Sequence, residues 1–116
     1  MWNDKKAPEY NMYGNRKINI VMARLRMKCS LLKADLQAMN IIEDATCDCG
    51  HPKEDLHHYL FECTLFTNER AILNDPNLNV PRDANVFIRG EPGSPQKNRL
   101  LFQAVAGYIK ETKRFD

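Results

Sequence analysis

The chain has 116 residues, of which 43% are hydrophobic and 28% are charged, with four cysteines and a net charge of +2. This composition predicts one folded domain and excludes a disordered tail, and the small net charge excludes a strongly basic polyanion binder. No apolar run approaches the roughly 20 residues of a membrane helix, and the first residues lack a hydrophobic signal core. The sequence therefore predicts an intracellular protein, of the nucleus or cytoplasm, without a membrane partner.

Charge is distributed unevenly along the chain. Residues 1–46 carry eight Lys and Arg against five Asp and Glu, residues 47–76 carry two against six, and residues 77–116 carry seven against four. The three sums are +3, −4 and +3. The acidic middle block would repel phosphates, whereas the flanks would attract them. Any contact with nucleic acid is therefore expected from the flanks.

The first patterned segment follows residues 1–15, an unpatterned N-terminal segment outside the single domain predicted for residues 16–116. From Ile18 to Leu32, apolar residues recur at the spacing that places side chains on one face of a helix. Ser30 is a weak helix former and a good N-cap. It predicts a break in the helix and a second helix ending near residues 38–40.

Turn and helix signals alternate in the middle of the chain. Pro52, with acidic residues just after it, predicts a short helix that runs to about Phe61. A further helix is expected over residues 65–73, because Thr64 before it is a suitable N-cap. The prolines, glycines and asparagines of the next segment predict a loop with one helical turn at residues 84–88.

The C-terminal part of the chain predicts the longest helix. Ser94 is a capping residue and Pro95 suits the first helical position, so a helix is expected from there to about Lys113. No segment alternates apolar and polar residues between hairpin turns. The predicted fold class is therefore all-α, with a Cys-x-Cys turn and a long C-terminal helix, and a short pairing around the cysteine turn is the expected exception.

Three cysteines and three histidines lie in one short segment, residues 46–64. In a reducing compartment, clustered Cys and His residues favour metal ligation over disulfides. Three thiolates and one imidazole are the donor set of a closed structural zinc site, which stabilises the fold and leaves no open position for catalysis. The predicted Zn²⁺ ligands are Cys47, Cys49, His58 and Cys63. A disulfide pairing and a metal-free cluster of buried cysteines are the alternatives.

The ligand spacing sets geometric conditions. His58 and Cys63 are five residues apart, which is about 140° around an α-helix, so the helix must end or tighten between them. A last turn wound toward 3₁₀ is expected. The Cys47-x-Cys49 pair requires a sharp bend that Gly50 permits, and backbone N–H groups there are expected to stabilise the sulfurs.

The choice among the three histidines follows from their positions. His57 points about 100° away from His58 on the predicted helix, which leaves it near solvent while its apolar neighbours face the core. His51 lies two residues after Cys49, where ligation would strain the loop. His58 is therefore the predicted ligand.

The residues around this cluster resemble a known family. The segments Cys47-Asp-Cys-Gly and Leu56-His-His-Tyr-Leu-Phe-Glu-Cys63 are similar to the zinc-binding (CCHC) segment at the C-terminal end of non-LTR retrotransposon reverse transcriptases of the insect jockey and R1 type. The family's histidine falls on His58. Three further segments are also similar to the family. Residues 23–36 resemble the Arg-Leu-Arg stretch that precedes the zinc segment, residues 63–70 resemble the region that follows it, and residues 108–115 resemble the family's last helix. The resemblance covers the chain from about Val21 to its end.

The resemblance implies a zinc-binding module that handles nucleic acid, positioning an RNA template or target DNA. Its partners would be RNA or DNA, together with the neighbouring reverse transcriptase domains of a larger polyprotein. One departure is Lys28-Cys29, which stands where the family usually has Gly-His. Because Cys29 continues the apolar stripe that begins at Ile18, it is expected to be a small buried hydrophobic residue and not a further ligand.

Two functions are consistent with these features. In the first, basic side chains near the first and last helices contact phosphates without reading sequence. Those predicted contacts are Lys17, Arg24, Arg26, Lys28, Lys33, Lys110, Lys113 and Arg114. In the second, the domain is a structural or protein-contact module that packs on neighbouring domains, and its surface charges only keep it soluble. No polymerase carboxylate pair or phosphate-binding glycine loop is found, so no enzymatic activity is expected.

Overall fold

The computed structural model describes residues 16–76, 78, 80–93 and 95–115, so the segment 1–15 and the predicted cap Ser94 lie outside the described residues. The described part is helical and forms no strand, which confirms the predicted all-α class. Its elements are α1 (Arg16–Arg26), α2 (Lys33–Ala38), a π-helical turn (His58–Glu62), 3₁₀ segments Thr64–Phe66 and Glu69–Asn74, α3 (Ala84–Arg89) and α4 (Pro95–Thr112). None of these helices is both long and apolar enough to span a bilayer.

The hydrophobic core lies where α1, α3 and α4 meet the segment that follows the cysteine turn. α1 contributes its predicted stripe, of which Met22 is completely buried. Aromatic rings fill much of the remainder: the centroids of Tyr59 and Tyr108 are 5.1 Å apart, and those of Phe61 and Phe87 are 4.9 Å apart. Such tilted and edge-on ring contacts add to the stabilisation from burial alone. The cysteine segment therefore shares one core with α4.

α1 ends at Arg26, four residues before the predicted break at Ser30, in a hydrogen-bonded cap. Lys28 has a positive φ of 57°, its N–H donates to Leu25 O (3.3 Å), and the N–H of Cys29 donates to Arg24 O (3.0 Å). This is the Schellman pattern, in which the left-handed residue is usually Gly because a side chain is strained there. Cys29 consequently lies outside α1 and is only partly buried, unlike the buried stripe position predicted for it.

Lys28→Gly is expected to raise the free energy of unfolding by about 0.5–1 kcal/mol, because glycine relieves the left-handed strain at some cost in unfolded-state entropy. Urea denaturation of the metal-loaded proteins measures the difference. Lys110→Gly, within α4, is the matched control and should lower stability by about 1 kcal/mol. Equal destabilisation by both changes would contradict the capping role of position 28.

The chain breaks after α1 and Ser30 organises the break, although the N-cap of α2 is Leu32 and not Ser30 as predicted. Its hydroxyl donates to Asp35 Oδ2 (2.6 Å) and accepts from the Leu32 N–H (3.2 Å). α2 then ends at Ala38, and Asn40 takes a left-handed conformation with φ of 60° that suits this residue type. The second predicted helix is thus confirmed with its C-terminal end.

Glu54 joins the start of α2 to the C-terminal end of the chain. Glu54 is buried, with 4% of its surface exposed, and its carboxylate accepts the Lys33 backbone N–H at 2.9 Å. Arg114 binds both carboxylate oxygens, with Nε 2.9 Å from Oε2 and Nη2 2.5 Å from Oε1. Burial opposes its ionisation, but these hydrogen bonds outweigh burial and hold the pKa of Glu54 below its ordinary value. The Arg114 guanidinium also donates to Leu31 O (3.0 Å).

Two predicted helices take other forms. The one expected from Pro52 to about Phe61 begins only at residue 56, and from His58 to Glu62 it is a π turn. The one expected over residues 65–73 consists of two 3₁₀ segments. α3 and α4 match their predictions, and the Asp83 side chain caps α3 by accepting the Asn85 N–H at 2.8 Å. The irregular helices are therefore confined to the segment containing His58 and Cys63.

Candidate metal centre

The first two thiols lie on a tight backbone turn. The Gly50 N–H donates to Cys47 O (2.9 Å), the Cys47 N–H donates to His51 O (2.8 Å), and Gly50 has a φ of 100°. A Cβ would be strained at that φ, so glycine permits the bend, as predicted. The Glu54 N–H donates to Ala45 O (2.8 Å), so the segments on either side of the cysteine turn share a second backbone hydrogen bond. This is the short pairing expected around the turn, and it does not form a strand.

The other two donors lie on a turn that is wider than an α-helix, not tighter. The Cys63 N–H donates to His58 O (2.8 Å), a bond from residue i to residue i+5. The expectation of a 3₁₀-like last turn is therefore wrong. A π turn matches a five-residue spacing because its hydrogen bond joins residues five apart, and such turns are frequent at functional sites.

The four predicted ligands meet in one cluster. Their donor atoms all lie within 4.8 Å of one another. Cys47 Sγ is 3.7 Å from Cys63 Sγ, and Cys49 Sγ is 3.2 Å from His58 Nε2. Cys47, His58 and Cys63 are buried, whereas Cys49 is partly exposed. The four side chains are close enough to hold a metal ion.

The separations fit a tetrahedral thiolate site. Two sulfurs bound at about 2.3 Å to a tetrahedral zinc ion are about 3.8 Å apart, close to the 3.7 Å between Cys47 and Cys63. At the cysteine turn, the backbone N–H groups of Cys49 and His51 act to lower the pKa of the Cys47 and Cys49 sulfurs, as predicted for the turn. The Leu65 N–H acts in the same way on Cys63, outside the turn.

The thiols differ in their readiness to ionise. Burial raises the pKa of Cys47 to about 12, and burial likewise raises the pKa of Cys63, in each case against an opposing backbone N–H. The pKa of Cys49 is lowered to about 6, chiefly because the His51 N–H donates to its sulfur. In the metal-free domain Cys49 is therefore the thiolate, and the two buried sulfurs retain their protons at neutral pH.

The other two histidines lie outside the sulfur cluster. The His57 side chain is 52% exposed, as predicted. The His51 ring stacks on His58, with centroids 4.1 Å apart, and its Nδ1 lies 2.9 Å from Lys53 O. His51, His58 and Glu62 also come close enough to form a second possible donor group beside the first.

Arg70 secures the end of the π turn to α4. Its guanidinium donates to Leu60 O (3.0 Å) and Cys63 O (2.6 Å), and it lies 3.3 Å from the Tyr108 hydroxyl. That hydroxyl donates to Tyr59 O. Carbonyl groups at the end of a helical turn lack partners within the turn, so these side chains satisfy them. No sequence pattern indicated this role for Arg70.

Cys63→Ser is expected to abolish stoichiometric metal binding and to remove much of the cooperative unfolding transition, because metal binding and folding are coupled in small sites. Cys29→Ser is the matched control and should retain both, since Cys29 lies outside the cluster. Metal analysis and thermal melts followed by circular dichroism provide the readouts. Equal metal content in the two variants would contradict the assigned ligand set.

Metal affinity is expected to fall steeply as the pH is lowered. Binding near pH 7 should release about two protons, because Cys47 and Cys63 have raised pKa values and must lose their protons, whereas Cys49, with a pKa of about 6, is already largely ionised. Chelator competition at several pH values measures the slope. A slope of less than one proton per metal would be inconsistent with ligation by both buried thiols.

Three of the predicted nucleic-acid contacts are engaged inside the domain. Arg26 is 8% exposed, and its Nε donates to Ile88 O (2.8 Å) while its guanidinium lies over the Phe102 ring. Lys33 Nζ binds the Asp48 carboxylate at 2.8 Å, and Arg114 binds Glu54 as described above. Arg26 is a core residue, so its assignment as a surface contact is corrected, and the charges of the other two are compensated locally.

The other predicted basic residues do not form one surface. Lys17 and Arg24 line a groove of about 490 Å³ beside α1, and Lys28 lines a separate recess. Lys110 and Lys113 are exposed at the end of α4. Among these five residues, only Lys17 and Arg24 therefore share one groove.

Arg16 joins the same groove and was missed at the sequence level. Arg16 lies one helical turn before Ile20 and two turns before Arg24, so it shares their face of α1. This spacing would have revealed it if the sequence had shown that α1 begins at Arg16. The groove is also lined by apolar residues, among them Leu31 and Phe115. Three basic side chains thus border an apolar concavity.

Comparisons with family models, curated proteins and solved structures find no match to this chain. The resemblance to a retrotransposon reverse transcriptase segment therefore stays a prediction based on the residues quoted above.

Proposed function

We propose that this chain is a zinc-stabilised, non-catalytic domain that contacts nucleic acid. The observation that carries the nucleic-acid part is the groove beside α1, where Arg16, Lys17 and Arg24 come together. The described residues that line it include no carboxylate. Clustered cations of this kind bind phosphates through charge, independently of base sequence.

Zinc is the metal that the donor set favours. Thiolate and imidazole donors suit zinc, whereas calcium and magnesium prefer oxygen ligands. Four protein donors within reach of one ion complete a tetrahedral shell, so the ion would hold the fold together and not activate water. The reducing compartment that keeps such thiols available is part of the same proposal.

We further propose that the domain serves a reverse transcriptase of the non-LTR retrotransposon type, positioning its RNA template or target DNA beside neighbouring domains. The resemblance around Cys47 to Cys63 supports this assignment. A second support is Lys28, which has a left-handed backbone at the position where the family usually has Gly. A conformation that favours glycine is the one expected if both chains share this turn.

A protein-contact module is the second candidate, and one observation favours it. Ile20 is 41% exposed and Leu31 is 48% exposed, and both lie in the same groove. A groove lined by both apolar residues and cations also suits an acidic amphipathic segment of a neighbouring domain. The two candidates therefore use the same surface and differ in its occupant.

Arg16→Glu combined with Arg24→Glu should weaken binding to single-stranded RNA by about tenfold or more at low salt. The slope of log affinity against log salt should become shallower by about 1.4, because two phosphate contacts are lost. Fluorescence anisotropy with labelled single-stranded RNA and duplex DNA measures both quantities.

The matched control is Lys53→Glu with Lys97→Glu, which changes the net charge equally at exposed positions outside the groove. The control should bind much more tightly than the groove variant. Equal losses in the two variants would argue against a defined contact at the groove. If the unmodified protein did not bind either nucleic acid at low salt, the protein-contact candidate would replace this proposal.

A further inference from the structure

The two ring nitrogens of His58 have different surroundings. Nε2 faces the sulfur cluster, 3.2 Å from Cys49 Sγ. Nδ1 is buried and has no hydrogen-bond partner in the described part of the chain. Buried polar atoms in folded proteins are almost always hydrogen-bonded, so an unpartnered nitrogen at a candidate ligand calls for a physical explanation.

The nearest carboxylate belongs to Glu62, on the same π turn. Glu62 Oε1 lies 4.0 Å from His58 Nδ1, and the Glu62 side chain is 50% exposed. This distance exceeds that of a hydrogen bond by about 1 Å. A partly exposed side chain with several rotatable bonds can make a movement of that size without disturbing the core.

Metal ligation determines which nitrogen carries the proton. A neutral imidazole has one N–H, and binding through Nε2 requires the Nε2 lone pair, so the proton must lie on Nδ1. That N–H then needs an acceptor, and the burial of Nδ1 separates it from bulk water. Glu62 supplies the acceptor within reach.

We propose that Glu62 is a positioning residue of the metal centre, whose carboxylate accepts the Nδ1–H of His58 when Nε2 binds the ion. This role rests on the proposed zinc site. Histidine ligands commonly donate their second N–H to a carboxylate, which fixes the ring orientation and strengthens the ligand. The negative charge of Glu62 thus acts on the ion through His58, without direct ligation.

A second imidazole competes for the same oxygen. His57 Nε2 lies 3.9 Å from Glu62 Oε1, on the solvent side of the turn. Because the His57 side chain is 52% exposed, water can satisfy its nitrogens, whereas the buried Nδ1 of His58 lacks that alternative. The carboxylate is therefore assigned to His58.

The test compares zinc affinity among variants by chelator competition at constant pH. Glu62→Ala should lower the affinity by about 10–100-fold. Glu62→Gln retains an oxygen acceptor and should recover a large part of that loss. Glu111→Gln, at an exposed glutamate on α4, and His57→Ala are the controls and should stay within about twofold of the unmodified protein.

A spectroscopic readout separates positioning from general folding. Nitrogen NMR of the zinc-loaded protein should show His58 ligated through Nε2 and protonated on Nδ1, with faster exchange of that proton in Glu62→Ala. With Co²⁺ as the probe, the thiolate-to-metal absorption should persist in this variant because the three sulfurs remain. If Glu62→Ala does not fold, the isosteric Glu62→Gln variant and the unmodified protein still report the tautomer and the exchange.

Several results would overturn the assignment. Unchanged zinc affinity in folded Glu62→Ala, or an Nε2–H tautomer in the zinc-loaded protein, would exclude this role for Glu62 while leaving the metal site intact. Failure of the unmodified protein to bind zinc would instead remove the proposed site and, with it, the role of Glu62.

Discussion

The ion pair between Glu54 and Arg114 determines how the separate parts of this domain are held together. One carboxylate binds the start of α2 through the Lys33 N–H, holds the segment after α4 through Arg114, and lies 3.9 Å from Cys47 Sγ. The Glu54 backbone pairs with Ala45 O and accepts the Ala34 N–H. A domain of this size has a limited core, so a buried carboxylate bonded to both α2 and Arg114 helps to fix the relative positions of these elements.

The candidate metal centre is built from two halves that different parts of the domain support. The cysteine turn is anchored by Glu54, whereas the π turn is anchored by Arg70 and the tyrosines of the core. Neither half lies on a regular helix or strand of the described chain. An ion at the four donors would connect the halves directly, which explains how a site with little secondary structure of its own can have a defined geometry.

Much of the fold follows from local signals in the sequence. α1, α3 and α4 have apolar periodicity or capping residues, and these depend only on neighbouring positions. The turn between His58 and Cys63 was predicted to be tighter than an α-helix, whereas it is wider. Apolar periodicity predicts a helix but does not predict which residues its hydrogen bonds join. Here the i to i+5 bond follows from a five-residue ligand spacing, a constraint imposed by the cluster.

The chemistry of the donor atoms identified the four candidate ligands. In contrast, the contacts that the basic side chains make in the folded domain could not be predicted from neighbouring residues. Arg26 bonds to a carbonyl 62 positions away, and Arg114 pairs with a carboxylate 60 positions away. Local sequence reasoning presents both as exposed cations because it contains no information about tertiary partners. Arg16 was missed for the related reason that its importance depends on a groove shared with Leu31 and Phe115.

The proximity of Cys47 and Cys63 has a chemical consequence whenever the thiols are not bound to a metal. Their sulfurs are 3.7 Å apart, and the Cys49 sulfur, whose pKa is lowered to about 6, lies in the same cluster. The Cys49 thiolate can attack an external disulfide, which releases one thiol and leaves a mixed disulfide on Cys49. A second sulfur of the cluster can then attack the Cys49 sulfur, which releases the other thiol and leaves a disulfide within the cluster. Oxidation and metal loading therefore compete for the same atoms. A bound ion would protect the sulfurs from this reaction, and a disulfide among them would prevent the ion from binding again until it was reduced.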